Sequence, residues 1–259
     1  MKRLSLLIFF ALSSSLYGSG FDSAILWIYD IPDGSSDFFS TETMKLCDRR
    51  FQTSMLYSKP YGIGAVDWNN VFVRKGFGRW GAFARFNSYG LRDYYSRYIY
   101  NVGAAIKMRN SLSVSFDGQY HFEHFDRIGG FGRSELNARF SYYRGTVYSV
   151  LGLSGIRIDE DYKSSSGGAR AWGALTYLLK NGMSFSGSVK RFENGRNRWL
   201  FSQHTRLSAD VGLSFGVINR PDVIFGQLVL SRGSFSINLA YYSISRLGDS
   251  VVLGFAVGG

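Results

Sequence analysis

The feature that most limits what this chain can become is an alternation of side-chain character. Across residues 111–122, Leu112, Val114, Phe116, Gly118, Tyr120 and Phe122 occupy every second position. Between them stand Ser111, Ser113, Ser115, Asp117, Gln119 and His121. Successive side chains of a strand point to opposite faces, so such a run makes a strand with one dry and one wet side. A helix would scatter the same residues around its circumference.

The pattern recurs through residues 80–87, 97–107, 134–143, 183–191, 206–217 and 234–241. It is less regular at 50–58, 62–74, 146–156, 169–179, 223–231 and 251–257. Turn residues punctuate the runs. Met108-Arg109-Asn110, Arg144-Gly145, Lys180-Asn181-Gly182 and Arg232-Gly233 are short hairpin signals, with Asn-Gly the strongest of them. Pro32, Pro60 and Pro221 fall between runs, where a missing N–H costs no ladder bond. Longer polar connections are expected at 123–133, 157–167 and 192–198.

Run length separates a membrane barrel from a soluble sandwich. Soluble strands average about 5–6 residues; several runs here reach the length of about 9–11 residues that a tilted membrane strand needs. Tyr98, Tyr120, Tyr142, Tyr177 and Tyr241 sit near run ends, as an interfacial aromatic girdle requires. The expected fold is therefore all-β: an antiparallel up-and-down transmembrane β-barrel. Thirteen runs are visible. Bacterial barrels favour even strand numbers, so about 12 strands are expected, within a range of 10–14. Residues 24–29 are a candidate for one more strand. The alternative is a secreted soluble sandwich or jelly roll.

Export is read from the N-terminus. Lys2 and Arg3 precede an apolar core at 6–12, then Ser13–Ser15 and the small residues Gly18, Ser19 and Gly20. This is the order of a signal peptide, expected to be cleaved after Gly18 or Gly20, and the core is too short to span a bilayer. The domain plan is a signal at 1–20, an N-terminal segment at 21–48 that is a strand or lies inside or beneath the barrel, and a barrel at 49–259. The expected location is the outer membrane.

Composition removes other classes. Aromatics make up 17% of the 259 residues, which excludes a disordered chain. The single Cys excludes an intrachain disulfide framework. The net charge of +11 forms no dense stripe, so no nucleic-acid partner is expected.

The polar faces supply the candidate lumen residues: Arg85, Arg97, Lys107, Asp117, Gln119, His121, Arg139, Arg170, Lys190, Arg206 and Asp210. Their basic excess would favour anions in an open pore. The competing reading is a narrow interior in which the same residues pair and fill the space. Further basic residues at Arg109, Arg144, Lys180, Arg220 and Arg232 are placed to meet anionic lipid head groups. Catalysis has little support. His121 near Ser115 and Asp117, or His204 near Ser202 and Gln203, read as interior or loop-edge histidines. His121, His124 and Asp126 are a weak metal set, and the acidic residues at 159–161 read as a solvated loop tip. No enzyme activity, cofactor or metal is expected.

Gly90-Leu91-Arg92-Asp93-Tyr94, the segment Tyr100-Asn101-Val102-Gly103-Ala104-Ala105-Ile106, and Tyr241-Tyr242-Ser243 with Leu247-Gly248-Asp249-Ser250 resemble outer-membrane barrels of the PorV/PorQ-like group. These are relatives of the long-chain fatty-acid transporter barrels. The resemblance implies a barrel that either moves small molecules or docks secretion and cell-surface partners. The function expected is thus a passive channel or small-molecule transporter with a basic lumen, passing anionic or amphipathic solutes. The alternative is a non-transporting barrel that anchors or docks a protein partner at the surface or in the periplasm.

Overall fold

A computed structural model describes residues 46–64, 66–91, 94–126, 129–158, 170–191, 197–219, 222–245 and 248–259. The expected strand at 24–29, the signal peptide and the acidic residues 159–161 lie outside them. Fourteen strands form one closed antiparallel barrel in which each strand pairs with its sequence neighbours and β1 closes on β14. They are β1 (Phe51–Ser58), β2 (Val66–Gly76), β3 (Trp80–Leu91), β4 (Tyr95–Arg109), β5 (Leu112–Phe125), β6 (Gly129–Arg144) and β7 (Val147–Arg157). The second half comprises β8 (Arg170–Leu178), β9 (Met183–Arg191), β10 (Asn197–Arg206), β11 (Val211–Ile218), β12 (Val223–Arg232), β13 (Phe235–Ile244) and β14 (Gly248–Gly258).

The expectation of about 12 strands is corrected to 14. All thirteen runs are strands, and the addition is β10. There Leu200 faces inward while Gln203 and Thr205 face outward, so neither face is uniform and the period-two signal fails. Two boundaries move as well. Residues 207–210 are a turn between β10 and β11, not part of a strand beginning at Arg206. Most of 123–133, read as a connection, belongs to β5 and β6, which pair from Leu112↔Tyr142 to Phe125↔Gly129.

Closure explains the texture of the sequence. A closed sheet has no edge, so every strand satisfies its backbone polar groups on both sides, the condition for crossing lipid with strands. Outward positions carry Val102, Phe116, Tyr120, Leu151, Leu175, Phe201, Phe215, Ile224, Leu239 and Phe255, all exposed. A soluble protein would bury such a surface; a lipid-facing one requires it. No helix among the described residues is long and apolar enough to cross a membrane.

The two ends differ. Connections 77–79, 110–111, 145–146, 179–182, 207–210 and 233–234 are short turns, and they share their end of the barrel with the incoming chain at 46–50 and the C-terminal Gly259. Gly145, Gly182 and Gly233 adopt positive φ in these turns, where a β-carbon would be strained. The opposite end carries the connection 59–65, which folds a short 3-10 turn (Pro60–Gly62) inward, and the two connections that contain 159–169 and 192–196. Short turns gather at the end where residues 46–50 enter, and in bacterial barrels such turns face the periplasm. With β10 in place, the turn at Arg232-Gly233 falls at this end with the others.

Candidate functional site in the barrel lumen

The inner wall is not uniformly polar. Toward the long-connection end, Leu56, Val66, Trp68, Tyr89, Tyr95, Leu200, Ile218, Val223, Phe225, Ala240, Tyr242, Ile244, Val252 and Ala256 form one buried apolar cluster, against which Tyr61, Leu91 and Phe125 pack. It spans β10–β14 and β1–β4, a continuous arc because β14 and β1 are neighbours. Phe225 and Tyr242 stack with centroids 6.1 Å apart. Tyr61 is a non-glycine residue with positive φ (60°), held where its backbone N–H donates to Ser250 Oγ at 2.7 Å. The strain turns the 59–65 connection in over the mouth.

Next along the same strands lie three buried amides, of which Asn70 and Asn87 are register partners across β2 and β3. Asn70 follows Trp68 on the inner face of β2, Asn87 precedes Tyr89 on β3, and Gln227 follows Phe225 on β12. Their relative exposures are 2%, 1% and 3%. Among the described residues, Asn70 Nδ2, both amide atoms of Asn87 and both of Gln227 have no hydrogen-bond partner. Buried amides are ordinarily paired, because an unpaired one costs roughly 1–3 kcal/mol. Here five such atoms, on residues next to the apolar cluster, face the lumen.

The arc of β4–β6 holds the charges. Asp117 Oδ2 accepts hydrogen bonds from Asn101 Nδ2 at 2.7 Å and Asn137 Nδ2 at 2.6 Å, and Asp117 Oδ1 lies 3.4 Å from Arg139 Nη2. Asn137 Oδ1 in turn accepts from the Gly155 N–H at 3.0 Å, at a register shift between β6 and β7. Gly155 has φ +76°, which lets the strand bulge toward Asn137. Farther along, Arg97 meets Glu123 at 3.5 Å and Arg133 meets Glu135 at 3.0 Å. His121 sits among Arg97 (3.5 Å), Gln119 (3.3 Å) and Glu135 (3.4 Å). Its surroundings are thus these three, rather than the Ser115 and Asp117 that the sequence places near it. His204 Nδ1 lies 3.1 Å from Ser214 Oγ on the neighbouring strand β11.

The candidate lumen residues divide by position. Arg85, Arg97, Lys107, Asp117, Gln119, His121, Arg139, Arg170 and Lys190 lie on inward strand positions. Arg85 rests over the Phe72 ring at 5.4 Å. Arg206 and Asp210 sit instead at the short-turn rim and are exposed. Arg206 donates to the carbonyls of Ser208 (3.2 Å) and Ala209 (2.9 Å), so it closes its own turn. Sequence reasoning set Asn87 on a polar face without singling it out, and overlooked Asn70, Glu123, Arg133, Glu135, Arg198 and Gln227. It also overlooked the apolar inner arc, whose signal is loss of alternation: in β12 the run Val223-Ile224-Phe225 is apolar on both faces.

A fourth element enters from the N-terminal side. Leu46 and Cys47 are buried against Phe72, Phe83 and Ala105, on the inner wall of β2–β4. Gly76 and Gly81 make room for them. A β-carbon at Gly76 would fall 1.6 Å from Asp48 O, and one at Gly81 would fall 1.9 Å from Leu46 O. The Gly78 N–H donates to Cys47 O at 3.0 Å. Burial pushes the Cys47 thiol pKa up, against a smaller opposing contribution from the Lys107 backbone.

No family model matches this chain, and no curated protein matches it. Solved structures do. The Pseudomonas putida toluene transporter TodX superposes with a TM-score of 0.56 at 7% identity, covering 88% of this chain and 91% of that one. The outer membrane protein Omp33 of Acinetobacter baumannii gives 0.55 at 8%, covering 82% and 99%. A Pseudomonas aeruginosa FadL homologue gives 0.54 at 10%, covering 89% and 92%. The fold is that of outer-membrane, porin-like β-barrels. At these identities the likeness is one of architecture.

Proposed function

We propose that the chain is an outer-membrane transport barrel for small amphipathic solutes, with an apolar body and a hydrogen-bonding or anionic end. The observation that carries this reading is the apolar inner arc adjoining unpartnered amides. An open aqueous pore would gain nothing from Trp68, Phe225 and Tyr242 on its wall. A solute whose body covers those rings removes apolar surface from water, at about 25 cal/mol per Å². Its polar end then supplies the partners that Asn70, Asn87 and Gln227 lack. Amides both donate and accept, so a hydroxyl, an amide or a carboxylate fits. The inward Arg85, Arg97, Lys107, Arg139, Arg170 and Lys190 bias the choice toward a negative end, and this is the basic-lumen part of the proposal. That solved barrels of this architecture include a toluene transporter supports the apolar part of the reading.

Residues 1–20 would direct export. Leu46–Asp48, on the inner wall at the periplasmic end, would narrow the exit and set how freely solute leaves. The test is uptake of a labelled aromatic carboxylate into vesicles holding the barrel. Saturable uptake that falls in an N87L/Q227L variant, with the barrel still heat-modifiable, supports the reading. Non-saturable uptake of sugars and salts alike would make it a general pore. No uptake from a folded barrel would favour the docking alternative.

A further inference from the structure

The lumen absorbs only part of the positive charge. Every short turn carries or adjoins a basic residue: Arg79 between β2 and β3, Arg109 before the β4–β5 turn, Arg144 before β6–β7, Lys180 in β8–β9, Arg206 before β10–β11 and Arg232 before β12–β13. Arg49, Arg50 and Lys75 join them at the same end, and all nine are exposed. Among the described residues the acids at this rim are Asp48 and Asp210, whereas Asp67, Glu123, Asp126, Asp222 and Asp249 lie toward the other end. Lys75, Arg109, Arg144, Lys180 and Arg232 make no ion pair or side-chain hydrogen bond among the described residues. Arg79 and Arg206 are tied to carbonyls through one edge each, leaving the charge at the surface.

Depth decides what this collar meets. Lys75, Arg144 and Arg232 occupy outward positions at strand ends, paired with Phe51, Val147 and Phe235. Exposed Phe51, Phe77, Trp80, Tyr177 and Phe235 form an aromatic belt beside them. Such belts lie at the membrane–water interface. The cations therefore encircle the barrel at head-group level, on three well-separated strands and in the turns between. A single protein docking on the rim would reach one side of it; a charge ring running all the way round is matched by lipid.

We infer that the short-turn rim is a binding collar for anionic phospholipid head groups of the inner leaflet. The inference rests on the barrel's being embedded in a membrane and not on what its lumen passes. A Lys or Arg near an anionic surface contributes roughly a fivefold gain in binding, screened by salt.

The experiment extracts the full-length barrel from vesicles of phosphatidylcholine with a minority of phosphatidylglycerol and counts retained lipid by native mass spectrometry. Heat-modifiability of the same sample confirms the folded barrel, so a failure to insert reads separately. Phosphatidylglycerol should be retained roughly tenfold or more over its share at low salt. That preference should collapse in K75Q/R109Q/R144Q/K180Q/R232Q and survive with Lys and Arg interchanged at these positions. Equal retention of both lipids, or a preference indifferent to the five neutralisations, would overturn the inference. So would substitution-sensitive binding of soluble polyglutamate without lipid preference, which would assign the collar to an acidic periplasmic partner.

Discussion

Gly81 offers the sharpest test of how the chain enters the lumen. In Gly81→Val the new β-carbon would begin 1.9 Å from Leu46 O, whereas ordinary contact starts at 3.4 Å. The Leu46 backbone must therefore retreat by about 1.5 Å, the difference of those distances. Valine suits a strand, so the barrel wall itself should hold. Retreat forfeits the Cys47 carbonyl's hydrogen bond from Gly78 N–H, worth about 1 kcal/mol. It also exposes much of the fully buried Leu46 side chain, worth about 2 kcal/mol. Together these are about 3 kcal/mol, or about a hundredfold in the population of the detached segment. Cys47 is the sole cysteine of the chain and is buried, so it reports that population directly. Maleimide labelling in the folded barrel should be slow in the wild type and about a hundredfold faster in Gly81→Val. Gly118→Ala, facing outward with open space beside it, should leave the rate unchanged. Rapid labelling of wild-type Cys47, or equal rates in wild type and Gly81→Val, would refute the packing of Leu46–Asp48 on the wall.

The other predictions are shorter. Asp117→Ala strands Arg139, Asn101 and Asn137 without their shared acceptor and should cost about 3 kcal/mol or more, read as a lower denaturant midpoint in vesicles. Phe116 is 61% exposed in the middle of β5; Phe116→Arg should cost about 2–4 kcal/mol in vesicles, through the lipid-facing penalty. Phe225→Ala should leave the barrel folded, lower its stability by about 3 kcal/mol and weaken solute binding measured by Trp68 fluorescence. Raised by burial, the Cys47 thiol should help hold the segment below the ordinary thiol pKa of about 8.5, and that help should fade as pH rises through its folded-state value. Labelling in excess of the ordinary thiolate increase should therefore appear only above about pH 8.5.

Period two made most of the wall legible because lipid and lumen impose opposite demands on neighbouring residues. Residues 111–122 are the clearest example, and they form most of β5. Where the lumen itself is apolar, the two demands coincide and the signal fades. In β10, Leu200 belongs to the apolar arc, Gln203 and Thr205 break the outer face, and the strand went unrecognised. Extended pairing concealed Glu123 and Arg133, whose polarity resembles that of a loop until β5 and β6 are seen to continue through them. The unpartnered amides could not be read from sequence at all. Asn70, Asn87 and Gln227 are ordinary polar alternants in their strands, and only barrel closure joins β12 to β2 and β3, through β13, β14 and β1. Gly76 and Gly81 were equally silent, since their meaning depends on a backbone that arrives from outside the sheet.

Planar-bilayer recording with and without an amphipathic carboxylate tests the central claim most directly. The account predicts small ionic currents that the carboxylate blocks at saturable concentration, with the block weakened in N87L/Q227L. Large steady conductance steps that the carboxylate leaves untouched would contradict it.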